Sequence, residues 1–382
     1  MTFSSDKPKA FRYHAGKKAG PDPSNGPGSK TNTGKRSRRR RLLVTDLGKI
    51  DRAFFDRHVA PNLGADRDDV LVGPQHGIDF GVLEVDESAV VMATDPLSIL
   101  PALGLERAAR FGLDLILADV AVSAVAPSHL SICFTLPPEM DDESFATVWE
   151  TIHEECRDLG VAVTTGHTAR YSECSYPWIG AATVLGVGDR ETIVRPDGAR
   201  PGDRLLLTTG PGAEAVGLLA TLFGDEIDLS ETVLESARDR FDDVYCVRDA
   251  LTAAAAGPVT AMHDVTEGGL TGALNEMADG AGVRFEIDRD SVPMQPGIEE
   301  VCSHFGINPW HVSSCGSLAL AVDPSGVDRV RRALEDRDTV VAEVGRVEAG
   351  EGVIVDGETI THPGTDPAWA VYADLANRTA SR

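Results

Sequence analysis

Continuous apolar runs and longer periodic ones alternate along the chain, and their lengths separate strands from helices. "SAVVMATD" (88–95), "LDLILAD" (113–119) and "HLSICFTL" (129–136) are short, mostly apolar runs of strand length and predict buried strands. Between the last two, "VAVSAVAPS" is rich in small residues and predicts a helix ending before Pro127. From 141 to 159, Phe145, Val148, Ile152, Cys156 and Leu159 recur at three- and four-residue spacing, the apolar face of a helix. "VAVTTGHT" and "WIGAATVLGV" return to strand character. "VRPDGARPGDRLLLTTGPG" (194–212) then carries the turn chemistry of a domain boundary, followed by a strand. Helices are expected at 213–223, 231–240 and 247–256, with further alternation of "GVRFEID", 297–305, 318–322, 326–335 and "TVVAEVGRV". The pattern is an α/β (α+β) layer architecture in two domains of comparable size.

Composition adds a boundary at the N-terminus. The 382 residues carry a net charge of −24, but residues 1–41 hold twelve basic residues against Asp6 and Asp22. That leaves 24 basic and 58 acidic residues for the body, in which Lys49 is the only lysine after Lys35. An acid-coated, nearly lysine-free body suits a salt-rich cytoplasm, where counterions screen the surface. Residues 1–43 are rich in Gly, Pro, Ser and Lys and are expected to be a disordered basic tail. Their lysine usage contradicts the body, which places the expected true start near Val44; a nucleic-acid or membrane-surface role for the basic run is the weaker alternative. No apolar run reaches about 18 residues, and the twin arginines precede a charged segment, so a cytoplasmic protein without a membrane span is expected. The six cysteines form no C-x-x-C pair, which argues against a zinc site or a disulfide framework.

The candidate chemistry is carboxylate and glycine. Asp95 and Asp119 close two of the expected strands, and Asp79 sits in "GPQHGIDFG" ahead of the first. One such acid is ordinarily a turn former; several at neighbouring strand ends repel one another unless a hard cation such as Mg²⁺ neutralises them. "MHDVTEGGLTGALNEMADGAGV" (262–283) supplies a complement: Leu270, Leu274 and Met277 share a helical face, so a helix starts between 267 and 269. Its free N–H groups and bare Gly268 and Gly269 suit a phosphate, with Thr266 as cap or hydrogen-bond donor, although a Gly-Gly pair also serves as a simple tight turn. His263 is placed to donate to a phosphate or to orient Asp264.

These segments resemble, in order, the motifs of the superfamily of aminoimidazole-ribonucleotide (AIR) synthetase, selenophosphate synthetase, thiamine-monophosphate kinase and the hydrogenase-maturation protein HypE. The matching parts are "GIDFGVL", "ATDP", "LADVAVSAVAP", "TGHT", "HDVTEGGL" and "CGSLAL", spanning residues 47–347, with "LNE" and "GSLAL" most similar to HypE. The resemblance implies a two-domain AIR-synthase-like fold. An N-terminal domain (44–193) would have a mixed sheet forming a barrel across a homodimer; a C-terminal α/β domain (200–365) and a tail (366–382) would follow. It implies ATP and Mg²⁺ between the domains and transfer of phosphate to a substrate oxygen, with nucleic acid and membrane not expected as partners. Carried over by motif, Asp79, Asp95, Asp119 and Asp264 are metal ligands. Gly166, Thr168, Thr266, Gly268 and Gly269 lie near the nucleotide, and Asp264, His263 and His167 at the reacting centre. The chain departs from the family in places. Asp79 stands where most members have two adjacent acids, Ala118 replaces an Asn, and His167 replaces the kinase's Asp, which weighs against the thiamine-monophosphate kinase alternative. The chain ends "YADLANRTASR", without the C-terminal cysteine of HypE, and lacks the Cys/Sec–Lys pair of selenophosphate synthetase. The acceptor is therefore left open, as is a non-catalytic nucleotide-binding role in maturation or regulation.

Overall fold

The computed structural model describes residues 48–379; the basic tail expected over 1–43 lies outside the described residues. A short helical turn, α1 (Arg52–Phe54), precedes β1 (Val70–Val72), β2 (Gly81–Val85), β3 (Ser88–Ser98), α2 (Leu105–Ala121), β4 (Pro127–Leu136), α3 (Asp142–Leu159), β5 (Ala162–Arg170) and β6 (Trp178–Gly188). These six strands form one sheet in the order β1-β2-β3-β6-β4-β5, antiparallel except for the β4–β5 pair. The second half comprises β7 (Arg204–Thr208), α4 (Ala213–Phe223), α5 (Glu231–Asp239), α6 (Val247–Ala256), β8 (Val259–Asp264), α7 (Gly269–Ala281), β9 (Arg284–Ile287), α8 (Ile298–Phe305), β10 (Leu318–Val322), α9 (Val327–Glu335), β11 (Val341–Glu348), β12 (Gly352–Val355), β13 (Glu358–Ile360) and α10 (Ala368–Thr379). Its sheet runs β13-β12-β9-β11-β7-β10-β8, with β12 parallel to β9 and the other pairs antiparallel.

Two expectations are corrected. Residues 113–119 are not a strand but the middle of α2, and the helix expected over "VAVSAVAPS" is instead the end of α2, a turn and the start of β4. An uninterrupted apolar run fits a buried helix as well as a strand, and the register beyond the run decides: Ala108, Ala109, Phe111, Ile116, Leu117 and Val120 continue the buried face at helical spacing. Gly112 lets this helix lie against β3, since a Cβ there would meet the Ser98 carbonyl oxygen at 2.8 Å. The segment expected as a C-terminal tail holds α10, whose Ala368 and Leu375 are buried with α4, α5 and α8.

One hydrophobic core runs through both sheets' helices, from Val72 to Leu334. Phe241 is fully buried where they meet, with its ring edge-on to Phe111 of α2 (centroids 4.8 Å apart) and the Arg107 guanidinium 5.0 Å above it. Asp114 of α2 reaches across as well, accepting the N–H of Cys246, the residue that opens α6, at 3.0 Å. Burial pushes the Asp114 carboxyl up from 3.8 to about 7. The folded chain thus holds this proton more tightly than the unfolded chain; the stability it contributes is present below the unfolded value and lost as pH rises through about 7. Asp114→Asn keeps an acceptor for Cys246 and removes the titration. Thermal unfolding at about pH 5 and about pH 8 is expected to show a pH-dependent loss smaller in the variant by roughly 1–2 kcal/mol, allowing for solvent screening of this half-buried side chain. Equal losses in both proteins would contradict it.

Candidate functional site

The four acids come from four different elements: Asp79 from the loop before β2, Asp95 from within β3, Asp119 from the last turns of α2, and Asp264 from the end of β8. Neither Asp95 nor Asp119 closes a strand as expected: Asp119 is helical, and Asp95 is followed by three further strand residues, while Asp264 does end β8. They nevertheless converge. Burial raises the Asp119 carboxyl well above the ordinary range, and the charges of Asp264, Asp95 and Asp79 raise it further. Burial likewise raises Asp95, with Asp79 and Asp264 adding to it and a hydrogen bond to Asp119 opposing. Both shifts favour the protonated carboxyls while no cation relieves the repulsion.

Two cations already sit among the acids. The Lys49 ammonium donates to Asp79 Oδ1 at 2.8 Å, and its backbone N–H donates to Glu267 Oε2 at 2.7 Å just ahead of α7. Asp79 is pulled upward by burial, but Lys49 and His263 outweigh that and hold its carboxyl below the ordinary range. His263 is buried; its Nδ1–H donates to the Asp264 carbonyl at 2.6 Å and its Nε2–H to Glu276 Oε2 at 3.0 Å. Both partners are acceptors, so the ring carries both protons. Burial opposes that charge, while Asp264, Glu276 and Asp79 together hold the imidazole well above its ordinary value.

Asp79, His263 and Asp264 bring ligand atoms within 4.8 Å of one another. With both His263 nitrogens donating, the ring has no lone pair for a metal, and the carboxylates are the available ligands. Asp95 Oδ2 and Asp264 Oδ1 are buried without hydrogen-bond partners, an arrangement that costs free energy unless a cation or donor arrives. An all-oxygen set of this kind fits Mg²⁺.

The glycine-started helix lies against this cluster. Gly268 and Gly269 have φ of +87° and +61°, and Gly268 caps α7 with no side-chain bond to the first turn. Thr266 is not the cap; its carbonyl accepts the Gly269 N–H at 2.9 Å. A Cβ on Gly269 would meet the Trp310 and Val312 carbonyl oxygens at 2.6 Å, so that glycine is required by packing. Gly166, His167 and Thr168 are not brought to the acids within the chain. They lie on the exposed edge strand β5, line a shallow cleft with Trp149 and Ile132, and His167 Nε2 faces the Tyr171 hydroxyl at 3.2 Å. Gly166 is explained by close strand pairing, because a Cβ would sit 2.4 Å from the Ile132 carbonyl oxygen.

Sequence reasoning missed Lys49, Glu276, His76 and His362. The signal for Lys49 was the body's single lysine, kept where every other basic side chain is arginine. Glu276 binds His263 from about two turns inside α7, and His76 and His362 approach its Oε1 at 3.9 and 3.5 Å from loops far apart in sequence. Removing Lys49 as Lys49→Met leaves Asp79 short of a counter-charge. The variant is expected to melt several degrees below wild type without divalent cation and to gain more than wild type from added Mg²⁺. An equal Mg²⁺-induced shift in both would show that Lys49 does not neutralise the cluster.

Comparison with known proteins places these features in a family. Residues 77–187 match the AIR synthase related protein N-terminal domain, and residues 200–358 match its C-terminal domain. A protein named carbamoyl dehydratase HypE from Rhizobium leguminosarum bv. viciae is 26% identical over 263 residues, covering 68% of this chain and 73% of its own. A solved structure titled as hydrogenase maturation protein HypE in complex with ATP superposes with a TM-score of 0.60 at 20% identity, covering 84% of this chain and 94% of that one. Thiamine-monophosphate kinase from Stenotrophomonas maltophilia K279a gives 0.60 at 22% identity, covering 81% and 97%. With both family domains matched in order, this chain belongs to the AIR synthase-related family.

Proposed function

We propose that the chain is a HypE-like, ATP- and Mg²⁺-dependent enzyme that activates an oxygen of its acceptor by phosphorylation. The observation that carries this reading is the convergence of Asp79, Asp95, Asp119 and Asp264 beside the uncapped first turn of α7, with two carboxylate oxygens left unpartnered. The carboxylates would hold Mg²⁺, which neutralises the phosphates' charge when bound. The first-turn N–H groups of α7 would receive phosphate oxygens, and Lys49 and His263 would keep the acids in place. His263 acts here as a positioning residue, since both its ring protons are committed to neighbours. The name of the Rhizobium relative, carbamoyl dehydratase, supports HypE-like chemistry, with the acceptor left open.

A homodimer is part of the proposal. Edge strand β5 is exposed along nearly its whole length, with Val163 40% exposed, and Val187 on β6 is 55% exposed. A second copy pairing along β5 would close that sheet edge. The two halves, 44–193 and 200–365, are proposed as the domains between which nucleotide binds.

Measuring ATP turnover with Mg²⁺ at molar KCl tests the reading. Wild type is expected to turn over ATP, and Asp264→Asn to lose about 100-fold or more while remaining folded. Wild type that binds ATP without turnover would make the chain a nucleotide-binding regulator instead.

A further inference from the structure

The matched family domains begin at residue 77 and end at residue 358, so Gly48 and Lys49 at one end and α10 at the other lie outside them. These two outlying segments meet beside the acids. Gly48 has a φ of +92°, a conformation strained for any residue with a side chain. A Cβ there would lie 2.6 Å from Glu267 Oε2 and 2.7 Å from Trp369 Nε1, so the backbone passes through a slot between a carboxylate and an indole that only glycine fits. The next residue is fixed twice. The Lys49 N–H donates to Glu267 Oε2 at 2.7 Å, and its ammonium donates to Asp79 Oδ1 at 2.8 Å.

Both walls of the slot are themselves held. Glu267 stands immediately before Gly268, the residue that caps α7. Trp369 is in the first turn of α10, whose start is tied down by Asp366: one carboxylate oxygen accepts the Ala368 N–H at 2.8 Å, the other the Ser313 N–H at 2.7 Å. The neighbouring Ser314 N–H donates to the carbonyl of Val265, the residue after Asp264, at 3.2 Å. Tyr372, edge-on to Trp369 with ring centroids 6.1 Å apart, donates its hydroxyl to the Ala215 carbonyl of α4 at 3.2 Å. The Lys49 side chain is a flexible four-carbon stem and 54% exposed, and an ion pair of that kind fixes little by itself. Where its ammonium rests is decided by where its backbone is seated.

We propose that Glu267 and Trp369 are positioning residues for Lys49: their slot seats the Gly48–Lys49 backbone and thereby sets the ammonium on Asp79, which makes the C-terminal helix α10 part of the charge neutralisation of the acid site. With the slot opened, Lys49 leaves Asp79 and the carboxylate becomes available to a divalent cation. That consequence rests on the Mg²⁺ reading above; the slot itself does not.

Digestion of the full chain with endoproteinase Lys-C reads the slot without a metal, because Lys49 is the only lysine after Lys35. Formation of the 50–382 product, followed by intact mass, is expected to be at least about tenfold faster in Glu267→Ala and Trp369→Ala than in wild type. Glu267→Gln, whose amide oxygen still accepts the Lys49 N–H, is expected to stay within about twofold of wild type. Wild-type rates in both alanine variants overturn the inference. Calorimetric titration with Mn²⁺ reads the consequence. Trp369→Ala is expected to bind Mn²⁺ at least about threefold tighter than wild type and to make no difference in the Lys49→Met background. An equal change in both backgrounds, which a general loosening of α10 would give, overturns the link to Lys49. Trp369→Phe, which keeps a ring for Tyr372 and removes the Nε1 edge, is expected to shift both measurements in the same direction and keeps them decisive if the alanine variant does not fold. Wild type that binds no Mn²⁺ overturns the metal reading, while the digestion still decides the slot.

Discussion

Four carboxylates brought together out of water are the constraint on which this structure turns. Each is supplied by a different element, so their mutual repulsion acts directly on the packing of β3, α2, β8 and the loop before β2. In a medium of reduced dielectric such repulsion is worth several kcal/mol per close pair unless protons or cations relieve it. The chain relieves part of it with a lysine on Asp79 and an imidazolium beside Asp264, while burial and mutual repulsion push the Asp95 and Asp119 carboxyls up. None of these satisfies Asp95 Oδ2 or Asp264 Oδ1, and a divalent cation would.

The surrounding fold is arranged around that deficit. Gly112 brings α2 against β3, so that Asp119 reaches Asp95, and Gly77 lets the Asp79 loop lie on Glu276 of α7, where a Cβ would come within 3.1 Å of the glutamate's own. Lys49 ties the start of the described chain to Glu267 at the mouth of the same helix. The shared core around Phe241 and Phe111 holds the two sheets' helices together behind the site. The acids' geometry is therefore inherited from the rigid layers rather than from mobile loops alone.

Much of this was legible in the sequence where the signal was local. The start of α7, α3 and the helices of the second half follow from the periodicity of their apolar positions. The run at 113–119 was misread because seven residues, five of them apolar, carry no period of their own, and the deciding positions lay upstream at Ala108 and Ala109. The acids were identified despite the wrong element for Asp119, since convergence depends on where the elements meet and not on their type. His76, Glu276 and His362 were invisible for the opposite reason: they lie far apart in sequence, and only tertiary packing brings them to one carboxylate. His167 and its neighbours on β5 were linked to the acids by motif alone, and within the chain they lie on an edge strand separated from β3 by β6 and β4.

The central claim is that the acids, and not His263, form a divalent-cation site. Anomalous diffraction from crystals grown with Mn²⁺ and a non-hydrolysable ATP analogue tests it most directly. The account predicts a peak coordinated by oxygens of Asp264 and at least one of Asp79, Asp95 and Asp119, with the His263 Nε2 still on Glu276. No peak among the four acids, or a peak ligated by the His263 ring, would contradict it.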